Sequence, residues 1–333
     1  MDALIEFGLF FGKVVIIFIF IAALMLLALM ISLKNKHKPN LEIENLNEKS
    51  EDIKTFLSSM VLDKKEFKKM VKSQEKENKS KAKEKPHAFA LQFEGDISAS
   101  QVKELRDEIS AVLSVAKKDD EVVVCLESPG GMVSGYGLAA AELVRLREAG
   151  LKLTVCVDKV AASGGYMMAC TAHQILAAPF AIVGSIGVLA QVPNVHKLLK
   201  KNDIDYEEVT AGEYKRTVSI FGEITEKGRE KFKEQIQDTH NLFKKWVNTY
   251  RPQLQIDQVG TGEYWFGLRA KELNLVDEIK TSDEYLYNLM KTHTVIRVKY
   301  QQKKKLGEKI SEALGMVIDR TFDKLAQKNN SIY

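Results

Sequence analysis

The feature that most constrains this chain is residues 14–33, VVIIFIFIAALMLLALMISL, a run of twenty residues without a charged side chain. As an α-helix the run is about 30 Å long, which matches the hydrocarbon core of a bilayer. A helix buried in a globular protein is the alternative, but few such helices are this long and apolar on every face. The run therefore predicts a helix that spans a membrane.

The residues on either side of this run predict an uncleaved anchor rather than a signal peptide. Asp2 and Glu6 precede it, and KNKHK follows it in place of a small-x-small cleavage site. Lys34, Lys36 and Lys38 lie just after it, and positive charge favours the cytoplasmic side. We therefore expect a single-pass protein whose C-terminal bulk faces the cytoplasm. The opposite side is the alternative, because long domains can be translocated despite their charge.

Residues 34–86 have the composition of a charged linker. They hold fifteen lysines against ten acidic residues, a net charge of +5, whereas the whole chain carries +4. No interleaved aromatic residues or nucleic-acid motif accompany the lysines, so we expect anionic lipid headgroups beside them and no nucleic-acid partner. Part of the linker has the apolar spacing of an amphipathic helix, carried by Ile53, Phe56, Leu57, Met60 and Phe67.

The shifts in composition divide the 333 residues into four segments. We predict an anchor with its flanks over residues 1–38, a partly helical linker over residues 39–86, a folded domain over residues 87–290 and a basic amphipathic tail over residues 291–333. The face of the tail packs on the protein or on another copy, or alternatively lies on a membrane surface. Its apolar residues are Leu306, Ile310, Leu314, Val317, Phe322 and Leu325.

Strand and helix patterns alternate after residue 86. Apolar runs predict strands over residues 88–93, 121–127 and 151–157. Helical patterns lie between them, over residues 100–116 and 134–150, the second ending at a glycine. Strands that alternate with helices favour a parallel sheet in an α/β fold.

The second half of the domain is less regular. Residues 174–190 are apolar but are broken by a proline and two glycines, which favours a buried strand–turn–strand over a second membrane span. Residues 205–225 predict a strand that leads into a loop. A long helix is predicted over residues 225–250, and a short helix with an apolar exit over residues 264–279.

The three cysteines, Cys125, Cys156 and Cys170, lie in apolar segments. An odd number in such surroundings predicts small core residues rather than a disulfide framework or a metal cluster. Free thiols also suit a reducing compartment. We expect no metal and no cofactor, because no metal or nucleotide motif is present.

A single serine, Ser163, stands in the apolar stretch KVAASGGYMMAC at a predicted strand-to-helix junction. It is either a core serine at a helix start or a nucleophile. The N–H of Gly164 could stabilise an oxyanion, and Gly130 and Gly131 offer similar N–H groups after the strand that ends near residue 127. Both glycine pairs follow strands, and sites in parallel sheets form at the carboxyl ends of strands.

The residues alone do not select the base that such a serine needs. His173, His196 and His240 are candidates, but no turn in the sequence aims any of them at Ser163. Lys215 is the other candidate, because it follows a glycine-containing turn and stands apart from the lysine-rich runs. A lysine base has to be neutral, which requires a pKa below its usual value.

Four motifs in this order resemble the signal-peptide-peptidase-A/SohB family of membrane-anchored serine peptidases. They are ESPGGMVSGYGLA, VAASGGYMMACTAHQILAAPFAIVGSIGV, TAGEYKRTVS and LRAKELNLVDEI, and the resemblance covers residues 88–280. It implies a ClpP/crotonase-like fold, with residues 87–290 as the peptidase domain. It also implies a Ser–Lys dyad of nucleophile Ser163 and general base Lys215, with an oxyanion hole formed by Gly131 and Gly164.

The resemblance implies further properties of the protein. Nucleophile and lysine can come from different copies of the fold in this family, so one copy per chain predicts a homo-oligomer. The substrates would be extended peptides, such as membrane-derived signal peptides, and the location would be the bacterial inner membrane. We interpret Ser128 and Ser185 as turn serines, with a hydrogen bond from Ser185 to the lysine as the alternative. Arg216, beside Lys215, departs from the pattern of many family members.

Two other functions fit the same sequence. A crotonase-type enzyme that processes acyl-CoA would use the same paired glycine N–H groups, although the anchor and the Ser–Gly–Gly element oppose it. A non-catalytic membrane scaffold would keep only the fold. The interpretation we favour is a membrane-anchored serine endopeptidase.

Overall fold

The computed structural model describes residues 8, 10–13, 15–23, 25–26, 40–80 and 85–301, without the side chains of residues 74–80. The chain divides into two units, Glu42–Tyr300 and the terminal segments Met1–Leu41 with Gln301–Tyr333. In the second unit, residues 10–13, 15–23 and 25–26 are helical and are labelled α1.

Two predictions involve residues outside this description. Among the residues described, no helix is both long and apolar enough to cross a membrane. Residues 14, 24 and 27–33 of the predicted span lie outside the described residues. Residues 302–333 of the amphipathic tail predicted over residues 291–333 also lie outside them.

Strands and helices alternate along most of the unit Glu42–Tyr300. The strands are β1 (Leu41–Asn45), β2 (His87–Glu94), β3 (Glu121–Glu127), β4 (Lys152–Val157), β5 (Val160–Ala162), β6 (Gln174–Ala177), β7 (Ile182–Gly184), β8 (Tyr264–Phe266), β9 (Glu278–Ile279) and β10 (Thr294–Tyr300). The helices are α2 (Leu46–Val61), α3 (Lys64–Ser80), α4 (Val102–Val115), α5 (Val133–Glu148), α6 (Gly164–Ala169), α7 (His196–Lys201), α8 (Glu226–Tyr250), α9 (Ile256–Val259), α10 (Gly267–Glu272) and α11 (Ser282–Leu289).

The larger sheet has seven strands in the order β1-β10-β2-β3-β4-β6-β9, and the pairings from β10 to β9 are parallel. Its central strand β3 is apolar on both faces, because Val122, Val123 and Val124 have no solvent exposure (0%). Such a continuous apolar run is what a parallel strand covered on both sides needs. The α/β class predicted from the sequence is therefore confirmed.

A smaller sheet of three strands, in the order β5-β7-β8, carries the turn of interest. The strands β5 and β7 are parallel, whereas β7 and β8 are antiparallel. Ser128, just after β3, forms a parallel bridge with Ala161 of β5. The end of a large-sheet strand and the end of a small-sheet strand therefore lie side by side.

Buried polar contacts fix helix α8 against this framework. Arg251 is 2% exposed and donates to both carboxylate oxygens of Asp277, at 2.7 and 2.9 Å. Asp277 also accepts the N–H of Ile175 in β6 at 2.7 Å. Because the Asp277 side chain is 32% exposed, removing one partner should cost less than the about 3–5 kcal/mol typical of a fully buried pair. Trp246 donates to the carbonyl of Met167 at 3.0 Å, which joins α8 to α6.

Most elements predicted from the sequence are confirmed, within two residues at each end. These are the strands β2, β3 and β4 and the helices α4, α5 and α8, together with helical residues in the linker. Gly150 ends α5 with a φ of +78°, as the helix-stop pattern predicts. The cysteines are free thiols; Cys156 and Cys170 are buried and Cys125 is half-buried. Burial raises the pKa of Cys125 to about 11.

Three details of the second half differ from the predictions. The strand predicted within residues 205–225 is wrong, because that segment is irregular and mostly exposed, with no strand beside it to complete a ladder. The two strands within residues 174–190 exist, but β6 and β7 belong to different sheets. The short strand β8, before α10, was not predicted.

The sheet reaches past the predicted limits of the domain. The strand β10 pairs with β2, although it follows residue 290. The strand β1 lies within the predicted linker, next to β10. The helix α2 begins there with Asn45 as its N-cap, whose side chain accepts the N–H of Asn47 and Glu48.

Candidate active site

Ser163 lies in a strained turn between β5 and α6. Its backbone has φ +52° and ψ −117°, a region that residues with a side chain rarely occupy. Such a conformation costs about 1–3 kcal/mol and persists only where the surrounding structure enforces it. Here the N–H of Ser163 donates to the carbonyl of Gly184 at 2.8 Å, and the carbonyl of Ser163 accepts from Met167 at 2.9 Å.

The Ser163 side chain is not used to build the helix. It is half-buried and makes no capping hydrogen bond to α6, although serine is a favoured capping residue. A core serine at a helix start would satisfy its hydroxyl in this way. The backbone of Ser163 is thus held in a fixed conformation, and its hydroxyl remains available to another group.

The loop after β3 packs directly against this turn. Gly130 has φ +89°, and a Cβ at its position would lie 2.7 Å from the nitrogen of Gly164 and 2.8 Å from the Cβ of Ser163. Only glycine permits both that φ and so close an approach. A Cβ on Gly131 would overlap the carbonyl of Ile97.

A small cavity brings together three of the four site residues predicted from the sequence. Gly131, Ser163 and Gly164 line one part of it. The rest is lined by Val133, Met167, Gly187, Val188, Thr239 and Phe243. The walls are mostly apolar, and the hydroxyl of Thr239 donates to the carbonyl of Gln235 at 2.9 Å. Such walls beside the Ser163 hydroxyl suit a site from which water is partly excluded.

Two backbone N–H groups at this cavity are available as donors. No acceptor among the described residues takes the N–H of Gly131 or that of Gly164. The N–H of Gly130, in contrast, donates to the hydroxyl oxygen of Ser128 at 3.1 Å. Of the two glycines after β3, Gly131 is therefore the one with an N–H group to offer an oxyanion.

The fourth predicted residue, Lys215, does not line this cavity. It lies in the irregular segment between α7 and α8, is exposed, and its N–H donates to the carbonyl of Gly212 at 3.1 Å. Its ammonium pairs with no carboxylate among the residues described. The neighbouring Arg216 forms an ion pair with Glu208 at 2.8 Å.

The histidine candidates are engaged in local contacts. His173 accepts the N–H of Leu153 at 3.0 Å through Nδ1, and burial is the main cause that lowers its pKa. His196 Nδ1 lies 3.3 Å from the carbonyl of Phe221. His240 Nε2 lies 3.1 Å from the carbonyl of Ile186. Because a carbonyl only accepts, that His240 nitrogen carries a proton and is not free to act as a base.

The interpretation of Ser128 as a turn serine is confirmed, because its hydroxyl oxygen accepts the N–H of Gly130, two residues later, at 3.1 Å. Its side chain is also completely buried and contacts Tyr136. Tyr136 was not singled out from the sequence. The only signal was its position between Gly135 and Gly137 in the motif that follows β3. Ser185, with φ +52°, donates its N–H to the carbonyl of Glu263 at 2.7 Å.

Comparison with known proteins agrees with a hydrolytic site of this kind. Residues 145–296 match the model of peptidase family S49, and residues 2–143 match the model of the N-terminal part of that family. A probable protease SohB of Haemophilus influenzae is 49% identical over 324 residues, 92% of each chain. A putative protease SohB of Buchnera aphidicola subsp. Baizongia pistaciae is 44% identical and covers 100% of this chain and 98% of its own.

The chain therefore belongs to peptidase family S49, and the resemblance to the signal-peptide-peptidase-A/SohB family is confirmed. This membership supports peptide-bond hydrolysis as its activity. A solved structure of a membrane-bound stomatin-specific protease aligns over 69% of this chain and 98% of its own, with 12% identity and a TM-score of 0.40.

Proposed function

We propose that this protein is a serine endopeptidase whose nucleophile is Ser163. The observation that carries the proposal is the meeting of three groups at one cavity: an uncapped, half-buried hydroxyl and the N–H groups of Gly131 and Gly164. A nucleophile beside two unpaired donors is the arrangement that acyl transfer requires. The ClpP/crotonase-like fold implied by the family resemblance is part of the same proposal.

The proposed reaction combines these positions with Lys215, the base that the family resemblance implies. A neutral Lys215 takes the proton of the Ser163 hydroxyl, and the oxygen attacks the carbonyl carbon of a peptide bond. The carbonyl oxygen becomes negative and accepts hydrogen bonds from Gly131 and Gly164. Lys215 then protonates the departing amine, and water hydrolyses the acyl-enzyme to release the acid and restore Ser163.

We propose that Lys215 reaches Ser163 from a neighbouring copy in a homo-oligomer. Its exposed position, outside the cavity of its own chain, supports this arrangement. The segment that carries it also exposes apolar side chains that an interface would cover. They are Ile204, Val209, Tyr214, Ile220 and Phe221, which are 41–88% exposed.

The proposed substrates are extended peptides, among them membrane-derived peptides such as signal peptides. The family supports this class, and the small cavity agrees with a backbone that approaches the glycines closely. The cavity is lined by Val133, Met167 and Phe243, so an apolar side chain beside the cleaved bond is the complementary choice.

Covalent labelling tests the chemistry of the nucleophile. We expect a fluorophosphonate probe to modify the full chain once, at Ser163, because among the described residues it is the serine that lines the cavity with both proposed oxyanion donors. Peptide mass mapping identifies the modified residue, and Ser219→Ala serves as a control that keeps the label. Label on another serine, or none on a folded and proteolytically active chain, would overturn the assignment.

We also propose that residues 14–33 anchor the protein once in the bacterial inner membrane, with the peptidase domain in the cytoplasm. The uncharged run and the lysines that follow it support this topology. A periplasm-dependent phosphatase fused after Tyr333 is expected to be inactive, and a cytoplasmic fluorescent reporter active. The reverse pattern would place the domain on the outer face.

A further inference from the structure

A pair of buried hydroxyls lies behind the two glycines, and the proposed mechanism does not use it. Ser128 and Tyr136 both have a solvent exposure of 0%. Ser128 Oγ and Tyr136 Oη are 2.5 Å apart. Burying hydroxyl groups is costly unless they are hydrogen-bonded, so the partners of this pair determine what it can do.

The hydrogen bonds of this pair can run in only one direction. Tyr136 Oη is 2.7 Å from the carbonyl oxygen of Asp96, which can only accept, so the phenol donates its single hydrogen there. The hydroxyl of Ser128 must then donate to Tyr136 Oη. Ser128 Oγ in turn accepts the N–H of Gly130 at 3.1 Å. A series of hydrogen bonds thus runs from Gly130 through Ser128 and Tyr136 to Asp96. In such a series each hydrogen bond strengthens the next.

This series of hydrogen bonds determines which N–H group is free in the loop after β3. Because Ser128 binds the N–H of Gly130, the turn is fixed one residue before Gly131. The N–H of Gly131, which has no acceptor among the described residues, is then the next donor along the chain. Without the Ser128 hydroxyl, the N–H of Gly130 would lose its acceptor. The peptide unit between Pro129 and Gly130, next to the one that carries the Gly131 N–H, would then lose this constraint.

The same two residues also contact the turn that carries the nucleophile. A Cβ on Gly164 would overlap the ring of Tyr136, so that ring forms the floor beneath the second donor. The carbonyl of Ser128 accepts the N–H of Ala162 at 3.0 Å, one residue before Ser163. A Cβ on Gly165 would lie 2.5 Å from the same carbonyl. Ser128 therefore contacts the residue before the first donor, Gly131, and Tyr136 contacts the second donor, Gly164.

We propose that Ser128 and Tyr136 are positioning residues that hold the N–H groups of Gly131 and Gly164 at the spacing an oxyanion needs. The inference rests on the proposed serine-peptidase function. It differs from a purely structural role because the donors act on charge that exists only in the transition state. Loss of a single oxyanion donor typically costs about 10²–10³-fold in kcat.

Tyr136→Phe tests this inference with the smallest change. It removes Oη and keeps the ring beneath Gly164. We expect kcat for peptide hydrolysis to fall about 10- to 100-fold while KM stays within about twofold, because the donors stabilise the transition state rather than the bound substrate. Ser128→Ala should give the same split. The Ser128→Ala, Tyr136→Phe double variant should be no slower than the slower single variant, because either substitution interrupts the same series of hydrogen bonds.

Tyr166→Phe is the matched control. Tyr166 is also 0% exposed, and its hydroxyl donates to the carbonyl of Leu275 at 2.8 Å. This hydrogen bond is not part of the series from Gly130 to Asp96. Tyr166→Phe loses the same kind of buried hydrogen bond as Tyr136→Phe. Its melting temperature should therefore fall by a similar amount, while its kcat is unchanged. Equal kcat in Tyr136→Phe and Tyr166→Phe, measured well below their melting temperatures, overturns the inference.

The Ser163→Ala variant separates this failure from a failure of the proposed function. Turnover that survives Ser163→Ala overturns the serine mechanism, and the positioning role falls with it. Turnover that is lost in Ser163→Ala but unchanged in Tyr136→Phe overturns the positioning role alone.

Discussion

Ser163→Gly is expected to produce a chain that is inactive yet more stable than Ser163→Ala. Both variants lack the hydroxyl, so both should lose on the order of 10⁴-fold or more in kcat for peptide hydrolysis. The two differ in backbone strain, because φ +52° with ψ −117° is open to glycine but strained for alanine. We expect Ser163→Gly to be more stable than Ser163→Ala by about 1 kcal/mol in chemical denaturation.

Asp203→Gly is the control for the effect on stability. Asp203 has φ +53° in an exposed turn at the end of α7, so glycine also fits its backbone. It is expected to keep wild-type activity. Hydrolysis by Ser163→Ala at near wild-type rates would show that Ser163 is not the nucleophile. A Ser163→Gly variant less stable than Ser163→Ala would show that the turn is not strained.

The sequence was a good guide to the part of the site that is local in the chain. The strand β3 is predicted with its observed bounds, because an uninterrupted apolar run is typical of a strand that is buried on both faces in the middle of a parallel sheet. The junction at Ser163 is also local, since a strand, a serine and two glycines follow one another. Gly130 and Gly131 are predicted for the same reason.

The contacts that depend on the fold could not be predicted in this way. Ser128 and Tyr136 are eight residues apart, and nothing in their spacing indicates that their hydroxyls meet behind the glycines. Residues 205–225 mimic a strand because apolar and polar residues mix there, but a strand also needs a neighbouring edge. The strands β1 and β10 were missed as sheet members because they are separated by most of the chain.

The general base is the site residue that the structure of one protomer does not bring to the cavity. The sequence suggests Lys215 through a family resemblance, and the structure places it in an exposed segment outside the cavity that holds Ser163. A lysine that acts as a base has to lose its proton, which needs burial or a nearby cation. An interface between copies would bury this segment and so would supply the missing environment.

Lys215→Ala is therefore expected to lower kcat by about 10³-fold or more, and Lys215→Arg to lower it equally, because a guanidinium does not deprotonate. Lys201→Ala, which removes an exposed lysine at the end of α7, is the control and should stay active. If Lys215→Ala keeps most of its activity, the base is elsewhere.

Co-expression of two inactive variants tests whether the dyad forms between copies. Ser163→Ala and Lys215→Ala chains carry different affinity tags, and mixed oligomers are purified through both. If each site takes its serine from one copy and its lysine from the next, random assembly places both intact residues at about one quarter of the sites. Purification through both tags removes oligomers of a single variant and raises this share, to about one half for a dimer. If the dyad lies within one chain, no site contains both residues and no activity returns. Pairing either variant with the Ser163→Ala, Lys215→Ala double variant should also restore nothing, which excludes activation by assembly alone. Recovered activity would mean that this chain is a peptidase only as an oligomer. The exposed Lys215 of one protomer would then complete the site that contains Ser163 of a neighbouring copy.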